Sequence, residues 1–309
     1  RIGEQNSSAT LFYSGRTSQN DTSSTVTMLA QNAGDGNGQF EISYALPNNS
    51  YQLQLQVNGS GFSTAEEQLI IDWQLDALRT EKSIKTERQI ATIYYWNEED
   101  YHSLSVGAED DDEAAGVSWI GYKQHFFSSI LDPELPIQNS KMAIAAFEGD
   151  QLTKRMRSEN YVNTVNGSFS LPLKLYYGPN KYKLLKTYGQ GYQDVVDFGW
   201  GIFGWIGRGV VIPIFNWLEQ YGINYGIIIL IMALILKIVL FPLTYTSYKS
   251  MAKMRVLKPE MDELNEKFKG KDATKKNQAV MELYKQAGVN PLGGCIPMLV
   301  QMPILIAMF

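Results

Sequence analysis

Residues 225–245 read YGIIILIMALILKIVLFPLTY, an apolar run broken by one charge, Lys237. At ~1.5 Å per residue this run is long enough for the ~30 Å hydrocarbon layer of a bilayer, so it reads as a spanning helix. Lys237 stands roughly 18 Å from the polar residues at either end, Asn224 and Lys249. A lysine stem covers only about 6 Å and reaches neither headgroup layer unless the membrane thins or water enters. A charge at that depth costs about 2.5–3.5 kcal/mol, which makes an intramembrane lysine a functional candidate. Two readings stay open: a snorkelling lysine in a thinned bilayer, and a cation in a polar cavity inside a helix bundle.

The flanks sharpen the reading. Residues 196–222 hold Trp200, Phe203, Trp205, Phe215 and Trp217 with Arg208 as their one cation, as expected of a helix lying in the headgroup region. A spanning helix is expected over 223–246, with Pro242 in its last turn. Residues 247–289 read as an antiparallel helical hairpin turning at Lys269-Gly270-Lys271, because Met251, Met254, Leu257, Met261, Leu264 and Phe268 recur at spacings of three and four. Pro259 suits the first turn of a helix better than its interior. Met251, Met254 and Met261 fit either ordinary hairpin core or an adaptable docking surface for varied apolar peptides. Residues 290–309 break at Asn290-Pro291 and then start another apolar helix. Residues 249–285 contain ten Lys or Arg and six Asp or Glu, a local charge of +4. Basic loops beside spans stay on the cytoplasmic side, which puts the hairpin inside and the N-terminal domain outside.

Residues 1–195 read as β. Phe40, Ile42, Tyr44 and Leu46 alternate with polar neighbours, the turn Pro47-Asn48-Asn49-Ser50 follows, and Tyr51, Leu53, Leu55 and Val57 alternate again. Leu69 to Leu75, and residues 90–96, 141–147 and 168–176, continue the theme. Period-two patterning with closely spaced turns predicts an antiparallel β-sandwich, without crossover helices. The single cysteine, Cys295, excludes an intramolecular disulfide and a CxxC pair. The chain carries −5 overall, so everything outside the basic hairpin is acidic. Arg1 follows no leader segment and the last apolar run stops at Phe309, so the native chain is expected to continue past both ends.

Motifs of enzymes are weak here. Gly199 to Gly204 matches GxGxxG but is packed with tryptophan and phenylalanine rather than following a strand. Glu109 to Glu113 reads as a solvated acidic loop without the ligand spacing of a calcium site. His102 and His125 form no zinc pattern. No catalytic residue, metal or cofactor is expected.

Several blocks resemble the YidC family of membrane protein insertases: Tyr176-Tyr177-Gly178-Pro179, Phe241-Pro242-Leu243-Thr244, Ser250-Met251-Ala252-Lys253-Met254, and Asn290-Pro291-Leu292-Gly293-Gly294-Cys295 leading to Gln301-Met302-Pro303. The resemblance covers roughly the last 130 residues; a large exported β-sandwich before the core looks like the Gram-negative branch. It implies an inner-membrane protein of several spans, with a groove open to the cytoplasm and to lipid. One cation on the first core helix sits in that groove, and Lys237 occupies its place. The family usually has arginine there. Lysine lacks the planar fork and gives up its proton more readily in an apolar site. Gln301, Met302 and Pro303 are expected to line the groove, and Met251, Met254 and Met261 to serve hairpin docking. The implied partners are nascent membrane proteins, the Sec translocon and its accessory subunits, the ribosome, the signal-recognition-particle receptor and membrane lipids. A competing reading is a membrane-anchored sensor or transporter subunit whose outer β domain binds a ligand.

Overall fold

The computed structural model describes residue 8 and residues 11–33, 38–62, 68–97, 100–106, 109–163, 165, 167–199, 201–268, 273–288 and 296–308. The chain divides into two compact units, Arg1–Val196 and Asp197–Phe309. Trp200, the Lys269-Gly270-Lys271 turn and the block from Asn290 to Cys295 lie outside the described residues.

The first unit is built from β1 (Ser14–Gln19), β2 (Ser23–Ala33), β3 (Gly38–Pro47), β4 (Gln52–Ser60), β5 (Gln68–Leu78), β6 (Thr92–Asn97), β7 (Asp100–Ser103), β8 (Asp110–Lys123), β9 (Phe127–Pro133), β10 (Ile137–Ala146), β11 (Leu152–Asn163) and β12 (Phe169–Pro179). Every pairing is antiparallel, in the order β1-β2-β3-β4-β12-β9-β8-β10-β11-β5, with β6 and β7 branching from β8. The sheet folds over along β8. Its first half pairs with β10, and its second half pairs with β6 and β9. A register shift opposite Trp96 and Asn97 and a positive φ of 67° at Gly116 mark the bend. The extra residue lets Val117 and Ile120 enter the same core although they are three apart, as a bulge permits.

The interior is the sandwich that the alternation predicts. Ile93, Ile120, Tyr122, Met142, Ile144 and Met156 form one buried cluster; Phe40, Leu69, Leu131, Leu171 and Leu173 form another. Each large apolar side chain so buried contributes about 1.5–3 kcal/mol. One inner strand is polar: β11 turns Ser158 and Asn160 inward. The Tyr122 hydroxyl lies 2.8 Å from Ser158 Oγ, and the Asn160 amide donates to the Ile71 carbonyl at 3.0 Å. Its outer face carries Arg155 and Arg157, paired with Asp76 and Asp72 across β5 at 2.7 and 2.9 Å.

The acidic run is not a loop. Asp110 to Glu113 open β8 opposite Lys141 to Ile144 of β10, and Asp112 accepts a hydrogen bond from the Tyr95 hydroxyl at 2.6 Å. Strand pairing satisfies this backbone, while the carboxylates project from the sheet or take up a neighbouring donor. One short helix interrupts the strands, α1 (Ile84–Ile90), capped by Ser83, and a second, α2 (Tyr182–Thr187), follows the last of them. The segment expected to be a strand from residue 90 therefore begins at Thr92.

After β12 the chain docks α2 and a 3-10 turn, Tyr192–Val195, on the outer face of β8, β9 and β12. Leu185, Tyr192 and Val195 bury against Trp119, Ile130 and Tyr176. The Tyr192 hydroxyl donates to Asp132 at 2.5 Å. Burial raises the Asp132 carboxyl above its ordinary 3.8, and the Tyr192 bond and the Lys174 charge offset only part of this. A carboxyl raised in the folded state ionises first in the unfolded chain. Its contribution to stability is thus fully present below 3.8 and declines as pH climbs through the raised value. Asp132→Asn keeps an acceptor for Tyr192 and removes this titration. Thermal denaturation at acid and neutral pH should show a smaller loss of Tm with rising pH than in the parent; an unchanged dependence contradicts the assignment.

The second unit is helical: α3 (Ile202–Ile206), a π-helical turn (Gly207–Val211), α4 (Ile212–Glu219), α5 (Tyr225–Val256), α6 (Lys258–Lys267), α7 (Ala273–Gln286) and α8 (Ile296–Met308). The GxGxxG stretch opens α3 after a 3-10 turn, not after a strand, so it lacks the phosphate-binding context. Pro213 has no N–H to continue an α-helical ladder, and the wide turn lies directly before it; the Ile212 N–H reaches the Gly207 carbonyl instead. Ile228 and Met232 of α5 bury against Val211, Ile214, Phe215 and Leu218. Trp205, Trp217 and Tyr221 remain exposed on the other side of that segment.

Candidate functional site

Asn224 caps α5 by accepting from the Gly226 N–H at 2.8 Å, and the helix then runs 32 residues, about 48 Å at 1.5 Å per residue. It does not end near residue 246, and Pro242 lies in its interior rather than its last turn. Past the proline, Thr244 and Thr246 donate to the carbonyls of Leu240 and Pro242, each at 2.9 Å, the i−4 bonds by which threonines sit within a helix. Only ~20 residues are needed to cross hydrocarbon. The last turns, a stalk that carries Lys253 and Arg255, exceed that length. Among the described residues, α5 is the one helix long and apolar enough to span.

Lys237 is exposed and points away from the side of α5 that packs on α4. Spacings of three and four place Leu230, Leu234, Phe241, Tyr245 and Tyr248 on the same side, all of them exposed. The cation thus sits in an open apolar and aromatic stripe. Sequence reading singled out Lys237 and missed the two tyrosines, although their offsets of eight and eleven from it would have found them.

α8 packs against α5, α3 and the π-helical turn. Gln301 and Met302 are exposed on it, and Pro303 is half-buried inside it. The three methionines lie on two helices. Met251 and Met254 belong to the stalk end of α5, the helix breaks at Leu257, and Met261 lies on α6 with Pro259 in that helix's first turn. Met261 Sδ accepts from the Tyr284 hydroxyl of α7 at 2.7 Å, while Leu264, Val280 and Leu283 are half-buried with it, so Met261 is hairpin core.

The family model described as "YidC periplasmic domain" matches residues 2–212, and that described as "60Kd inner membrane protein" matches residues 217–309. The chain belongs to the YidC family. Among its relatives is a protein of Parabacteroides distasonis named membrane protein insertase YidC, 38% identical over 306 residues, 94% of this chain and 48% of the relative. Proteins of the same name from Bacteroides fragilis and Amoebophilus asiaticus are each 35% identical, over 94% and 89% of this chain and 49% and 48% of their own lengths. The chain spans about half the length of these YidC relatives. The boundary between the two family models falls close to the start of α4, so the aromatic segment around α3 goes with the periplasmic model.

Proposed function

We propose that this chain carries the outer domain and the first core helices of a membrane protein insertase, and that Lys237 acts on the substrate. The supporting observation is an exposed lysine midway along an otherwise apolar spanning helix, ringed by exposed apolar side chains. The hairpin lies in the cytoplasm and the sandwich in the periplasm. An incoming apolar segment with a short acidic tail meets the stalk and hairpin first, with Met251 and Met254 as soft contacts. The Lys237 ammonium then draws the tail into a wet groove shared with α8, where Gln301, Met302 and Pro303 line the inner side. Attraction in a reduced dielectric exceeds that in water. Transfer of the substrate's apolar surface to lipid, at ~25 cal/mol per Å², drives the rest without covalent chemistry. Nascent membrane proteins are the substrates. The ribosome, the signal-recognition-particle receptor and the Sec translocon are the partners that would deliver or receive them.

The test is reconstitution of the full-length protein in liposomes with a small membrane protein bearing an acidic tail, scored by protease protection of that tail. Insertion without added nucleotide is expected. Removing residues 258–287 should lower insertion about tenfold in a ribosome-coupled reaction and less for substrate added in detergent, since the hairpin serves delivery. No insertion by the intact protein in either format overturns the reading.

A further inference from the structure

Fifteen of the 27 Lys and Arg residues and 24 of the 32 Asp and Glu residues precede residue 197, so the sandwich unit carries −9. One corner departs from this. Residues 123–131 and 172–193 contain no acid, and α2 with the residue before it presents Lys181, Lys183 and Lys186, all exposed. The β8–β9 turn, whose Phe126 carbonyl accepts from the Asn180 N–H one residue before Lys181, leaves Phe126 and Phe127 51% and 56% exposed.

The turn is held firmly. Asn180 donates its side-chain amide to the Gln124 carbonyl at 3.0 Å and its N–H to the Phe126 carbonyl at 2.7 Å, while its Oδ1 accepts from Ser128 Oγ at 2.6 Å. The Gln124 N–H donates to the Phe127 carbonyl at 2.8 Å, and the Tyr176 hydroxyl fixes the Pro179 carbonyl at 2.7 Å. Backbone so constrained displays two phenylalanines to solvent instead of folding them in. Aromatic rings next to lysines match the layered chemistry of a bilayer surface, with an apolar boundary below anionic phosphates. A unit of charge −9 is repelled by an anionic leaflet, and a corner with three lysines and no acid in its stretches weakens that repulsion locally. The same stretch of chain leads from Asn180 through the buried Val195 into the helical unit that begins at Asp197.

We propose that this corner rests on the headgroup layer of the bilayer that the chain enters, with Phe126 and Phe127 at the acyl boundary and the three lysines against anionic lipid phosphates. The inference rests on the membrane reading of α5. The test uses the full-length protein with Cys295→Ser, reconstituted in liposomes of phosphatidylethanolamine and phosphatidylglycerol. A bimane label is placed at Phe126→Cys, at Ser18→Cys in β1, or at Leu234→Cys in α5, and quenching by shallow doxyl lipid is read. The label at 126 should be quenched about threefold more than that at 18, and should fall to the level of 18 in phosphatidylcholine or when Lys181, Lys183 and Lys186 are all changed to Gln. Equal quenching at 18 and 126, with 234 quenched, overturns this proposal alone. Shielding at 126 that appears only when other inner-membrane proteins are added assigns the corner to a protein partner and also overturns it. An unquenched 234 removes the membrane reading and this proposal together.

Discussion

Lys237→Gln should lower insertion of a substrate with an acidic tail at least tenfold, and change insertion of one with a neutral tail less than about twofold. Two unit charges ~6 Å apart at an effective dielectric near 20 attract by about 3 kcal/mol. Half of that, surviving hydration of the groove, already gives a factor of ten. Glutamine keeps length and polarity and removes only the charge. Lys237→Arg should stay close to the parent, since it keeps the cation and adds a planar fork of donors. Proteoliposomes with matched acidic and neutral tails provide the measurement. An equal fall for both tails would mean that Lys237 supports the helix and not the substrate.

The second large effect is on stability. Trp119 is buried to 1% exposure, donates its indole N–H to the Gln190 carbonyl at 2.6 Å, and meets Tyr192 edge-on with centroids 5.7 Å apart. It is the floor on which the docked segment from α2 to Val195 lies. Trp119→Ala leaves a cavity and an unpaired carbonyl, a loss of about 3–5 kcal/mol. For a unit of this size that corresponds to a drop in Tm of roughly 10 °C or more. Cleavage at the lysines of α2 should accelerate in parallel, because the segment loses its anchor while the strands still pair. Trp119→Phe should recover part of both. A Tm within a few degrees of the parent would show that the segment docks without this ring.

The sandwich was legible where a strand has one wet and one dry face. β3, β4 and β5 are readable because every second residue over much of each is Phe, Ile, Tyr, Leu, Val or Trp between polar neighbours. β1 is exposed at every residue and leaves no period to read. β11 hid because its buried positions include Ser158 and Asn160, satisfied by tertiary hydrogen bonds that no local pattern reveals. β8 hid because its acidic start looks like a loop and its bulge shifts the phase halfway along. In the helical unit, composition announced the spanning segment and its charge. It did not announce that α5 continues to Val256, since the apolar run ends near Tyr245 while helix propensity carries on. The methionine spacing runs across the break at Leu257 and so joins residues that lie on two different helices.

Photocrosslinking from position 237 reports whether the Lys237 site meets the substrate. The photoreactive residue replaces Lys237 in the full-length protein, and a ribosome-bound membrane protein is arrested with its tail at several lengths. The account predicts adducts to the tail and the first apolar residues at intermediate lengths, and their loss once the segment is released to lipid. Adducts to lipid at every length, with none to the nascent chain, would contradict it.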